Sequence, residues 1–307
     1  MSTPGTATTG ADMAGRALAA TAPQPARPRS RVRRYLTSPG RIVVALLLFV
    51  FGVLMLAPLV WLVVESLTDE LSAFDIPPNW LPKPFTLDNF KGIEDLIPFG
   101  RMALNSLIVA VISTAGSMVT SVLAAYAFSR LEFRGRQGVF LVMLSALMVP
   151  VQMTVIPVFI LMRHLHLVDH LAALWLPALI NVFAIFFFRQ YFSTIPRDLD
   201  EAARMDGAGH LWILFRVIVP LSGPAIAAMT ILAFEASWNN YFGPLIFLSS
   251  PENMTLPIGL VSLQAGQGGS SVVVFAAITA VVIPVLVVFL VFQRAFVASI
   301  ASAGIRG

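Results

Sequence analysis

Apolar residues in this chain come in long unbroken runs separated by short polar segments. Six runs hold no Asp, Glu, Lys, Arg or His: residues 42–64, 102–128, 138–162, 171–188, 217–234 and 272–292. Crossing about 30 Å of hydrocarbon at about 1.5 Å per residue takes about 20 residues, with a range of about 17–25, and every run falls within or close to that range. Backbone polar groups inside lipid find no water, so each run must satisfy its own hydrogen bonds as a helix. The pattern predicts an all-α, polytopic membrane protein with six transmembrane helices at about those bounds.

Composition agrees with the pattern. Of 307 residues, 57% are hydrophobic and only 12% are charged, against about 25% charged in soluble domains. The mean hydropathy is +0.83, so hydrocarbon must be part of the solvent. The net charge of +4 alone would suit nucleic acid, but the basic residues flank the apolar runs and form no patch on a soluble domain, so no nucleic-acid partner is expected. With the N-terminus inside, segments 1–41, 129–137, 189–216 and 293–307 carry seven, three, four and two Lys or Arg. The outer segments 65–101, 163–170 and 235–271 carry three, one and none. Basic residues collect on the cytoplasmic side, which predicts cytoplasmic N- and C-termini and a cytoplasmic 189–216. Residues 1–41 are rich in Ala, Pro, Thr and Ser, lack an apolar period, and read as a disordered basic tail. The run at 42–64 is too long, and too far into the chain, for a cleaved signal peptide. Residues 42–307 then form the permeating membrane domain.

The search for chemistry is mostly exclusion. No G-x-x-x-x-G-K-[ST] loop is present, so no nucleotide-phosphate cradle of that kind is expected. No Cys is present, which removes thiolate metal sites and disulfides. His166 and His170 stand four apart in HLHLVDH with Asp169 between them, a spacing that suits zinc or an ordinary outer loop. Without a closed set of four ligands the expectation is no metal. No Ser–His–Asp set supports a catalytic role, and no cofactor is implied. Ion-coupled transporters place ionisable groups near the midplane; here Glu65 and Glu235 lie at run ends and the cores are empty of charge. A stand-alone secondary transporter or a membrane enzyme is therefore disfavoured, and energy for uphill movement must come from a partner.

One polar insert asks for an explanation: PRDLDEAARMDGAGHLWILFRVIVP, residues 196–220, between two apolar runs. Pro196 suits a first helical turn, and Asp198, Asp200 and Glu201 suit the positive end of a helix dipole. Gly207 is a natural stop. The prediction is a short cytoplasmic helix with a small-residue surface, able to let another protein approach closely; a solvated loop is the plainer alternative.

The insert resembles the EAA loop of binding-protein-dependent ABC importer permeases, EAA-x3-G-x9-I-x-L-P. Here the match is Glu201-Ala202-Ala203, Gly207, then Val217-Ile218-Val219-Pro220, with Val in place of Ile and Leu. NSLIVA (105–110), AAYAFSRLEFRGR (124–136), MVPVQMTVIP (148–157) and SWNNYFGPLIF (237–247) are similar to signatures of the maltose-type second permease of the carbohydrate-uptake group. The resemblance covers about residues 40–307 and implies the type I ABC importer permease fold in a bacterial plasma or inner membrane. It also implies uptake of a sugar, a di- or oligosaccharide, with glycerol phosphate or a related polyol as the alternative.

The partners it implies are a second permease subunit, two copies of a cytoplasmic ATPase, an extracytoplasmic solute-binding protein, and the bilayer. Glu201, Ala202, Ala203, Asp206 and Gly207 would form the ATPase-docking coupling helix, joined by Arg306 in a tail that reaches the ATPase. Gln264, Gly266, Gln267, Gly268 and Gly269 would form a loop that reaches the binding protein. Asn105 belongs to a signature stretch and is a candidate for the substrate pathway. Trp238, Asn239, Asn240 and Tyr241 suit sugar hydroxyls by stacking and hydrogen bonding, or, for Trp238 and Tyr241, an interfacial aromatic belt.

Overall fold

The computed structural model describes residues 39–73, 80–266 and 270–303. The disordered-tail expectation for residues 1–38, and the roles expected of Gln267, Gly268, Gly269 and Arg306, lie outside the described residues. Among the described residues the chain is helical, with one isolated antiparallel bridge between Thr68 and Phe85. Two units divide at Pro58. The first contributes the opening part of α1 (Pro39–Ser66), which is apolar on all sides, as a helix set in hydrocarbon would be.

In the second unit, α2 (Asp88–Leu96) leads into α3 (Phe99–Arg130), the longest fully described helix. Buried residues on α3 come as pairs every four positions: Asn105 and Ser106, Val109 and Ala110, Ser113 and Thr114, Ser117 and Met118, Ser121 and Val122, Ala125 and Tyr126, Ser129 and Arg130. Most are small, and small side chains let helices in lipid approach closely. At Gly116 the approach is closest: a Cβ there would lie 2.2 Å from Leu179 Cδ2.

The run expected at 138–162 is not one helix. α4 (Arg136–Ser145), extended by a 3₁₀ turn at Ala146–Met148, meets α5 (Val151–His164) at 105°. Pro150 causes the bend, because the residue before a proline is pushed out of the helical region; Val149 sits at φ −90°, ψ 117°. The next run divides into α6 (Ala172–Ala178) and α7 (Val182–Thr194). The Leu179 carbonyl freed at the break accepts the Thr120 hydroxyl of α3, and the Ser121 hydroxyl adds a bond at 3.4 Å to the Asn181 carbonyl, which also accepts the Ile185 N–H at 3.0 Å. A broken helix persists in lipid only with such partners.

After α8 (Asp198–Met205), α9 (His210–Leu221) and α10 (Gly223–Trp238) meet at 81°, so the run expected at 217–234 is also bent. Pro220 lacks an N–H, and the turn before it widens into a π-helical stretch at Leu214–Ile218. α11 (Phe242–Phe247), α12 (Leu256–Ala265) and α13 (Ser271–Ala303) complete the chain. Among the described residues four helices are long and apolar enough to cross a membrane, or up to six if each bent pair is one span. α3 packs against α6, α7, α10 and α12, and α10 against α13.

Candidate functional site: a seated helix and a clamped outer loop

The EAA-like insert folds as α8, and its two ends are held differently. At the C-terminus Gly207 has φ +82°, a left-handed conformation that glycine adopts without penalty. Its N–H donates to Arg204 C=O at 2.9 Å, and the Ala208 N–H to Ala203 C=O at 2.9 Å, the paired bonds of a Schellman stop. At the N-terminal turn Asp200 is buried. Arg130, the last residue of α3, places Nη1 3.3 Å from Asp200 Oδ2, and the two side chains are 2% and 8% exposed. Arg130 Nη2 also donates to Phe192 and Ile195 C=O, each at 2.8 Å. One guanidinium thus ties the end of α3, the end of α7 and the start of α8.

Ala203 turns inward as well, into a cluster with Tyr126, Phe192, Ile195, Ile213 and Leu214. Of the expected docking residues, Glu201, Ala202, Asp206 and Gly207 are exposed, whereas Ala203 contacts the chain's own core. The exposed face adds Leu199 and Met205, the latter 88% exposed. A recess of about 550 Å³ lies beside it, lined by Arg130, Glu132, Arg197, Glu201, Arg204 and His210 among others. In the sequence Arg130 is a basic residue beside an apolar run, within the signature-like stretch 124–136, and Asp200 is a charge suited to a helix start; their pairing is not legible there.

Near the other end of α3, Asp169 takes φ +63°, and its N–H donates to Phe247 C=O at 2.8 Å. Its Oδ1 accepts the Ser249 and Ser250 N–H groups at 2.9 Å each, and the Ser250 hydroxyl donates to Oδ2. Asn253 Nδ2 donates to Asp169 C=O at 2.6 Å. These donors, the Ser250 hydroxyl first, hold the carboxyl below the usual carboxylate range. Its oxygens are thereby occupied, and among the described residues no group of three metal-ligating side chains exists.

The same loop is fastened to α3 as well. Arg101 Nε and Asn105 Nδ2 donate to Glu252 C=O at 3.0 and 2.9 Å, Asn105 also to Met254 C=O at 2.9 Å, and Leu256 N–H to Ser106 Oγ at 2.8 Å. Asn105 is therefore engaged in holding this loop. Trp238 is 2% exposed, stacks on Phe234 and donates its indole N–H to Val281 C=O at 3.1 Å. It is packed in the core, with its ring and its one polar group both satisfied inside. Asn239 donates to Glu235 at 2.8 Å, Tyr241 is exposed, and Asn240 borders a cavity at the middle of α3. Gln264 and Gly266 lie exposed at the end of α12.

The family described as binding-protein-dependent transport system inner membrane component matches residues 117–302. The arabinooligosaccharides transport system permease protein AraQ of Bacillus subtilis is 35% identical over 87% of this chain and 96% of its own length. The sulfoquinovosyl glycerol transport system permease protein SmoH of Agrobacterium fabrum is 32% identical over 88% and 94%. The sn-glycerol-3-phosphate transport system permease protein UgpE of Yersinia pestis is 34% identical over 82% and 92%. A crystal structure of a bacterial ABC transporter involved in the import of the acidic polysaccharide alginate superposes with a TM-score of 0.72 and 28% identity, covering 89% of this chain and 100% of that one.

Proposed function

The chain belongs to the binding-protein-dependent transport system inner membrane component family, and from that membership we propose how it works and what it carries. It is an inner-membrane permease subunit of an ABC importer, whose family works with an ATPase, a solute-binding protein and a second permease. In our reading the chain forms half of the translocation pathway, has no ATPase site of its own, and meets one of two ATPase copies through 189–216. Both termini and that segment face the cytoplasm, with six spans between them.

The observation that carries the reading is the seating of α8. Closure of an ATPase dimer moves a permease only if the contact helix cannot swivel on its own. The Arg130–Asp200 pair holds the start of α8 against the ends of α3 and α7, Ala203 packs into the same core, and the Gly207 stop fixes where the helix ends. Leu199, Glu201, Ala202 and Met205 are left facing outward as the docking surface. Ala203 serves that surface from behind by letting α8 lie close to the core.

The solute is a di- or oligosaccharide by likeness to AraQ; the likeness to UgpE supports glycerol phosphate as the second reading. Ala202→Trp in the complete transporter tests the docking: it should abolish co-purification of the ATPase subunit while the chain remains inserted. Retained co-purification and uptake would sink the assignment. Ser249→Cys, labelled by an impermeant reagent only from the cytoplasmic side, would overturn the orientation.

A further inference from the structure

A cavity of about 340 Å³ opens beside the middle of α3, at the break between α6 and α7 and against α10. That volume is within the range of small-molecule sites, about 300–1,000 Å³. Its polar lining is Ser113 and Ser117 of α3, Asn181 at the break, and Ser237 and Asn240 at the end of α10.

The hydrogen bonds show what those groups still have to offer. Asn181 Oδ1 accepts the Ala184 N–H and Asn240 Oδ1 accepts the Gly243 N–H, so both amide oxygens are used and both NH2 groups have no partner in the chain. Ser117 donates to Thr114 C=O and keeps its lone pairs. Ser113 is only 4% exposed, and its hydroxyl has no partner within the chain. A buried hydroxyl without a partner is costly, and this one borders the cavity. Phe183, 49% exposed, adds a ring to the wall.

Donors from two amides, hydroxyls that both donate and accept, and an aromatic ring suit a ring bearing many hydroxyls. Charge is what the lining lacks: among its described residues there is no Asp, Glu, Lys, Arg or His. An anion placed there would lose water and gain no counter-charge from this chain.

We propose that this cavity is a subsite for one uncharged sugar unit, so that this subunit touches the transported solute itself and favours neutral saccharides over phosphorylated or acidic ones. The proposal rests on the permease reading above and deepens it.

The test uses the complete transporter, with partner cysteines replaced; this chain has none. Arabinotriose, maltotriose, sn-glycerol 3-phosphate and an alginate-derived disaccharide are first ranked by uptake, and Ser113→Cys and Ser237→Cys are then labelled with a small ammonium methanethiosulfonate. The expected result is that a neutral probe is taken up best and that labelling stops its uptake. That probe, at about ten times its half-saturating concentration, should slow labelling about tenfold.

Best uptake of an anionic probe, protection by an anionic probe alone, no labelling of either cysteine, or full labelling with uptake intact would each overturn the subsite. A parent complex that fails to retain the ATPase subunit would instead overturn the permease reading, and that measurement is made before any labelling.

Discussion

Two aspartates fasten the two polar turns of this molecule, and they do so by opposite means. Asp200 is buried and needs a full countercharge, which Arg130 brings from the end of α3. Asp169, half-buried in the turn after α5, is held by neutral donors: two backbone N–H groups and a serine hydroxyl. A carboxylate removed from water is tolerated only with a paired cation and further hydrogen bonds, whereas one near water is satisfied by local N–H groups. The joint at α8 ties three helix ends through one cation, and the clamp at Asp169 fixes the shape of a single loop. Losing a partner should accordingly be severe at the first and mild at the second.

The largest effect should follow from Arg130→Met. It strands Asp200 and the Ile195 carbonyl, and removing one partner of a buried pair costs about 3–5 kcal/mol. Stability of the detergent-extracted chain and its transport should both collapse. The double change Arg130→Met with Asp200→Leu should recover part of the stability, because no buried charge is then unpaired. A double variant no better than the single would mean that the carbonyl bonds, not the ion pair, hold the joint.

Next comes a contrast between neighbours. Ala203→Trp intrudes on the packing around Phe192 and Ile213 and should destabilise the chain itself, since overpacking costs about 1–3 kcal/mol. Ala202→Trp should leave thermal stability unchanged and lose only the ATPase. Equal loss of stability in both would show that α8 does not have the inward and outward faces described.

A smaller effect is expected at Gly207. At φ +82° an alanine is strained by about 1–2 kcal/mol, so Gly207→Ala should weaken coupling. Gly207→Asn should restore much of it, since asparagine tolerates that conformation. Equal behaviour of Ala and Asn would dissociate the defect from the backbone conformation.

Smallest is Asp169→Asn, which keeps an acceptor and loses charge. Faster hydrogen exchange at Ser249 and Ser250 is expected, with ATPase co-purification untouched. The sign of the pH effect follows from the lowered pKa of Asp169. The clamp's contribution is complete above the unfolded carboxyl value of about 3.9 and is lost only as pH falls through the lower folded value. Exchange protection of the wild-type loop should therefore stay flat from pH 8 down to about 4. Loss of protection near pH 6 would show that some other group governs the loop.

Much was legible beforehand. The uncharged runs announced apolar helices because lipid leaves a backbone no alternative, and the EAA-like spacing announced α8 and its glycine stop because dipole, cap and turn preferences act within a few residues. The bends at Pro150 and Pro220 were written in the same runs; a hydropathy reading passes over them because proline interrupts hydrogen bonding without interrupting apolarity.

Other features depended on residues far apart in the chain. Asp200 meets Arg130, Asp169 meets Ser250, and Asn105 meets Glu252 only after α3, α7 and the outer turns have packed. Nothing local distinguishes Ala203, which packs inward, from Ala202, which does not. The same holds for Trp238, whose indole N–H found Val281 inside the core. The one-dimensional pattern determined which segments are helices, because that choice rests on local hydrogen bonding and solvent. The tertiary structure alone decided which face of each helix is spoken for, because that depends on which distant group fills the space beside it.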